Sequence, residues 1–133
     1  MAEVVRLVQR AATGDAKVLI TGESGVGKDL VAQALHAASP RRQGPYVAVN
    51  CAGLTETLLE SELFGHVKGS FTGAHRDKVG KLQLAHMGTL FLDEIGEMSP
   101  RMQGVLLRFL DSGEIQSVGA DTSRTTVNVR VIA

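Results

Sequence analysis

The chain has 133 residues, 44% of them apolar and 21% charged, enough for one domain with a real core or for part of a larger one. Fourteen basic residues balance fourteen acidic ones, which excludes a global field able to recruit nucleic acid or an anionic membrane. The single cysteine, Cys51, excludes an internal disulfide framework and suits a reducing cytoplasm, and no apolar run approaches a membrane span.

Met1 to Ala12 is amphipathic and short, unlike a signal peptide; Val4, Val5, Val8, Ala11 and Ala12 recur at helical spacing, and Thr13-Gly14-Asp15 stops the helix. Val18-Leu19-Ile20-Thr21 is continuously apolar, as in a parallel strand buried on both faces. A glycine loop over 22–27 leads into a helix in which Leu30, Val31, Ala34, Leu35 and Ala38 share a face, ending before Pro40. Tyr46 to Val49 reads as a second strand. Thr55 or Thr57 caps a helix reaching Phe64, with Thr57 and Glu60 at capping-box spacing.

A glycine-flanked loop comes next, then a short helix from Lys81 to His86 and a third buried strand, Thr89 to Leu92. Ser99-Pro100 is a strong helix start, with Leu106, Leu107, Phe109 and Leu110 inside and Gly113 past the end. Glu114 to Val118 and Thr126 to Ile132 read as two strands joined by the polar turn Gly119 to Arg124. Strand and helix alternate, so the expected fold is an α/β sandwich with a mostly parallel sheet flanked by helices. The last residues, Val131-Ile132-Ala133, fall within an apparent strand, which suggests a fragment.

The stretch "GESGVGKD" comprises Gly22, Glu23, Ser24, Gly25, Val26, Gly27, Lys28 and Asp29 and matches G-x-x-x-x-G-K between a strand and a helix. The glycines let backbone N–H groups turn inward around an anion, the helix dipole adds to them, and Lys28 reaches the terminal phosphates. The bland alternative is a glycine-rich turn with a surface lysine. Asp29 stands where a hydroxyl usually meets magnesium; a carboxylate there can hold Mg²⁺ through its water shell. Asp93 and Glu94 leave the carboxyl end of a buried strand, where open α/β sheets place ligands. Asp93 is the expected Mg²⁺ ligand and Glu94 the group that orients the attacking water, against the alternative of a helix cap or solvated turn. Asn50 ends the Tyr46–Val49 strand on the same sheet edge, as a third polar candidate or a simple turn residue.

Other residues carry less. His36, His66, His75 and His86 lack metal-ligand spacing, and Cys51 has no evident base and reads as a small buried hydrophobe. Arg41-Arg42 reads as a solvated turn, and the leucines from 106 to 110 as core rather than a partner groove.

Together "GESGVGKD", "VAVNCAGL", "ELFGHVKGSFTGA", "GTLFLDEIGEM", "QGVLLRFLDSGEIQSVG" and "VNVRVIA" resemble the central AAA+ ATPase domain of sigma-54-dependent bacterial transcription activators, in consistent order over nearly the whole chain. The resemblance implies a P-loop NTPase sandwich cut before its helical lid. It implies ATP and Mg²⁺ as ligands, with Gly22 to Asp29 as the nucleotide loop, and Asp93 and Glu94 as the magnesium and hydrolysis pair. Asn50 then matches a nucleotide-sensing asparagine, and Arg130 a relay residue. Gly69, Ser70, Phe71, Thr72, Gly73 and Ala74 match the loop that grips sigma-54 in RNA polymerase holoenzyme, and Gly119 to Arg124 a second pore-facing loop.

The chain departs from the family at Ser70 for alanine, Val67 for glutamate, Leu82 for phenylalanine and Met87 for glycine. The resemblance also implies a cytoplasmic ring of six or seven subunits, with no membrane contact. Its arginine fingers, lid and DNA-binding helices would lie past Ala133, leaving this stretch alone nearly inactive. A small P-loop kinase would need a substrate lid and has no use for Asn50 or a Gly-Ser-Phe-Thr-Gly loop, and a non-catalytic nucleotide sensor would not need Glu94.

Overall fold

The structure is a computed structural model that describes residues 26–119 and 125–133. The helix expected at 4–12, the strand at 18–21, the first four residues of the glycine loop and residues 120–124 lie outside them.

Among the described residues three parallel strands form one sheet: β1 (Tyr46–Asn50), β4 (Thr89–Asp93) and β7 (Arg130–Ile132), in the order β1-β4-β7. β4 is central, and Thr89 to Leu92 are all buried, as its unbroken apolar run requires. Successive side chains alternate across it. Phe91, with Ile132 and Tyr46, faces helix α1 (Val26–Ala37), whereas Leu90, Leu92 and Val131 face the opposite layer. That layer holds α2 (Glu56–Phe64), the short α3 (Lys81–Leu84) and α4 (Pro100–Ser112), which contribute Leu59, Leu63, Leu82, Met102 and Phe109.

The buried face of α1 matches its aliphatic spacing at Leu35 and Val31 but not elsewhere. Ala32, Leu35 and His36 are buried, whereas Leu30 is 59% exposed and Ala34 and Ala38 face out. The true face includes polar residues whose groups are satisfied. The His36 ring donates from Nε2 to the Gly44 carbonyl at 3.1 Å, and its Nδ1 accepts from the Thr89 hydroxyl at 2.8 Å. Ser39, also buried, donates to the His36 carbonyl.

Thr55, rather than Thr57, caps α2: its hydroxyl accepts from Leu58 N at 3.3 Å. Ser99 caps α4 by accepting from Met102 N, Pro100 takes the first helical position, and Gly113, at φ 72°, closes the helix by donating to the Phe109 carbonyl. Of the four α4 residues expected inside, only Phe109 is buried; Leu107 is 63% exposed, and Leu106 and Leu110 are half-buried. With Leu92, Ile95 and Val131 these three leucines line an open apolar groove of about 450 Å³, so they are not closed core.

Two small hairpins complete the fold. β2 (Gly65–His66) pairs antiparallel with β3 (Lys78–Val79), and β5 (Glu114–Ile115) with β6 (Thr125–Thr126). The long strand expected over 126–132 is therefore two strands with a break between them. Asn128 makes the break: its N–H donates to His86 Nδ1, its carbonyl accepts from Met87 N, and its side chain and carbonyl take the Arg41 guanidinium. Arg41 also donates to the Gly88 carbonyl, so it is a clamp at the end of the sheet rather than a solvated turn residue. Met87 next to it has φ 67°, a left-handed backbone that suits glycine better than methionine.

Candidate functional site

The sheet's carboxyl edge carries the acidic residues. In the parallel register of β1 and β4, Asn50 stands opposite Asp93, and Cys51 N donates to the Asp93 carbonyl at 2.9 Å. The Asn50 side chain accepts from Ala52 N, a local turn that fixes its amide beside Asp93. Glu94 follows at φ 57°, ψ 48°, and a 3₁₀ turn, Ile95–Glu97, carries the chain away. A left-handed residue other than glycine costs about 1–2 kcal/mol, and strain of this kind concentrates at functional sites. It leaves the Glu94 side chain exposed at the strand's end. Cys51 registers the local field: burial, then the charges of Asp93 and Glu94, push its thiol up to about 11. It stays protonated and is the small buried hydrophobe that its lack of a base suggests.

On the other side of the sheet, the first turn of α1 presents Gly27, Lys28 and Asp29. Among the described residues, a side chain at Gly27 would meet nothing within 4 Å. Asp29 is held twice, by the Tyr46 hydroxyl at 3.0 Å and by Gln33 Nε2 at 2.9 Å. Burial, that hydrogen bond, and the charges of Asp29 and Asp93 together hold the Tyr46 phenol well above its ordinary range, so it remains a donor. Each Asp29 oxygen retains a lone pair for water. Among the described residues no group of three or more His, Cys, Asp or Glu converges. Asp29 and Asp93 are the carboxylates on this side that could offer hard oxygens to a divalent cation.

The glycine-flanked loop joins β2 to β3 and is compact. Gly69 N donates to the Ala74 carbonyl, Ala74 N to the Phe71 carbonyl and Ser70 N to the Val67 carbonyl, while Lys68 N donates to Asp77 Oδ1 at 2.7 Å. Thr72 and Gly73 form an exposed tip, and Ala74 is buried. Phe71 is half-buried: its ring meets the His66 ring edge-on, with centroids 5.0 Å apart at 80°. It is neither core nor a freely projecting anchor.

The loop also rests on the β5–β6 hairpin. Val67 N donates to the Val118 carbonyl, Val118 N to the Gly65 carbonyl and Ser117 Oγ to the Phe64 carbonyl. Gly119 has φ 83°, and a Cβ there would fall on Ser70 Cβ and within 2.9 Å of Val67 Cγ2. The backbone of Val67 links the two segments, and its side chain leaves no room for a Cβ at Gly119. In the sequence Tyr46 reads as a strand residue, His66 as a histidine without metal-ligand spacing and Gly119 as the start of a polar turn, and none of these readings includes the contacts above. A hydroxyl on a buried strand, a histidine beside a glycine at a helix end, and a glycine after Val118 were the available signals.

Comparison with known proteins adds the relatives. The family model of the sigma-54 interaction domain matches residues 1–133. The Nif-specific regulatory protein of Rhodobacter capsulatus is 56% identical over 133 residues, all of this chain and 23% of that protein. The anaerobic nitric oxide reductase transcription regulator NorR of Escherichia coli is 54% identical over all of this chain and 26% of its own length. The chain thus spans about a quarter of the curated relatives it matches. The crystal structure of NtrX from Brucella abortus in complex with ATP superimposes with a TM-score of 0.86 at 42% identity, over 99% of this chain and 29% of that one. The P-loop NTPase domain of an E. coli sigma-54 activator, 18% identical with a TM-score of 0.54, covers 96% of this chain and 77% of its own and shares the fold. The parallel sheet between helical layers is that P-loop NTPase fold, and the chain belongs to the sigma-54 interaction domain family.

Proposed function

We propose that this chain is the ATP-binding and ATP-hydrolysing part of a cytoplasmic transcription activator that acts on sigma-54 RNA polymerase holoenzyme. The observation that carries the reading is the Asn50–Asp93 pair at the sheet's carboxyl edge, followed at once by the strained, exposed Glu94. Relatives that are transcription regulators, and a structural neighbour crystallised with ATP, support it further.

Lys28 would bind the terminal phosphates as a point charge at the helix N-terminus, with Gly22 to Gly27 supplying backbone donors. Asp93 would hold Mg²⁺ directly and Asp29 through water, and the ion would neutralise charge on the phosphate oxygens when bound. Glu94 would accept a proton from the attacking water and orient it. Asn50, fixed beside Asp93 by its turn, would report the state of that corner. Phe71 and Thr72 would contact sigma-54, and several such loops around a six- or seven-membered ring would add through effective concentration. DNA binding would rest with another part of the protein.

The test is calorimetry with ATP on the complete protein. Lys28→Ala should lose about 1.5–3 kcal/mol of binding, as for a charge-assisted contact. Turnover should release inorganic phosphate; a phosphorylated product would make the protein a kinase.

A further inference from the structure

The residue that governs Phe71 is His66. Its imidazole is held on two sides. Nε2 faces the Arg76 carbonyl at 2.8 Å, and since a carbonyl only accepts, Nε2 carries the proton. Nδ1 pairs with the hydroxyl of Ser61, 2.5 Å away on α2 and itself only 3% exposed, accepting from it in the neutral ring. The backbone of His66 pairs with Lys78 across the hairpin and bridges to Val118. One side chain thus ties the outgoing limb of the loop to its return limb and to the helical layer. The third contact of the ring is Phe71, edge-on at 5.0 Å. The fixed imidazole is a platform, and Phe71 lies on it while Thr72 and Gly73 face solvent.

We propose that His66 is a positioning residue that stows Phe71 against the body of the domain, so that presenting Phe71 to its partner requires the ring contact to break. The inference rests on the proposed sigma-54 contact. Its physical core is the choice Phe71 faces between two aromatic or apolar surfaces, one internal and one on the partner. Weakening the internal surface shifts the loop towards the presented state by the same factor.

The experiment uses the complete protein. His66→Gln keeps one donor and one acceptor but removes the ring; His66→Tyr keeps a ring. In His66→Gln, capture of sigma-54 without a transition-state nucleotide analogue should rise about three- to tenfold, the factor to which one aromatic pair corresponds. Hydrogen exchange at Gly69 to Ala74 should quicken, with ATP turnover kept. His66→Tyr should resemble wild type in both readouts, which a merely structural polar role would not produce. Unchanged capture and unchanged exchange in a turnover-competent His66→Gln would overturn the stowing role. Phe71→Ala separates the two ideas: if it retains analogue-dependent capture, the partner reading fails. If it loses capture while His66→Gln gains none, stowing alone fails. Should His66→Gln not fold, Phe71→Leu removes the ring from the other side. Faster exchange over 69–74 in that variant supports stowing, and unchanged exchange overturns it.

Discussion

Removing the hydroxyl of Tyr46 tests how the Asp29 carboxylate is held. The hydroxyl donates to Asp29 Oδ1 at 3.0 Å, and the ring packs against Ala32, Leu35, Phe91 and Ile132. Tyr46→Phe therefore deletes one charge-assisted hydrogen bond and leaves the packing intact. Such bonds contribute about 1.5–3 kcal/mol. Asp29 is half-buried and keeps Gln33, so water replaces part of the loss and the expected cost is about 1–2 kcal/mol. A double-mutant cycle with Asp29→Ala isolates the pair, read by urea denaturation at pH 7. The two substitutions should be non-additive by about 1 kcal/mol or more. Additivity to within about 0.3 kcal/mol would mean that the pair does not form in solution.

Three further outcomes follow from particular residues. Met87 is 57% exposed with φ 67°, so Met87→Gly should raise stability by about 1 kcal/mol, as left-handed strain relieved outweighs glycine's added chain entropy; chemical denaturation decides it. Gly119→Ala adds about 1–2 kcal/mol of left-handed strain and a clash with Ser70, so hydrogen exchange should quicken over 65–79 and stay slow in β4; equal protection would contradict the packing of loop on hairpin. The Cys51 thiol is raised from 9.0 to about 11. Between those values the unfolded chain ionises first, so Cys51 contributes stability that is complete below about pH 9 and lost as pH rises towards 11. Urea titrations at pH 8 and pH 10 should therefore fall further for wild type than for Cys51→Ala.

What could be read in the sequence was what local chemistry decides. Ser99-Pro100 and Gly113 bound α4 because a cap, a ring-fixed φ and a left-handed closing residue act within one turn. Thr89 to Asp93 was legible because a strand covered on both faces has no polar alternation. The misses came from partners distant in the chain. His36 looks like a surface residue until Thr89 and Gly44 satisfy its ring, which shifts the inner face of α1 away from Leu30 and Ala34. Asn128 looks like an ordinary strand residue until Arg41 and His86 hold it and split the strand in two. At the candidate site, the placement of Asp93, Glu94 and Asn50 at one sheet edge is legible from strand ends alone. The roles of Tyr46 and His66 depend on Asp29 and Phe71, which only the fold brings to them. Phe71 shows both halves of this: its flanking glycines announce a loop, but nothing local says that the ring lies on a histidine.

Glu94→Gln in the complete protein tests the central claim of ATP hydrolysis at this corner most directly. The amide keeps the size and the left-handed backbone position, but it takes no proton and orients water poorly. Calorimetry should show ATP affinity within about threefold of wild type, while phosphate release falls by about a hundredfold or more, the usual range for a lost general base. Turnover close to wild type, with binding intact, would contradict the account and move the catalytic role away from Glu94.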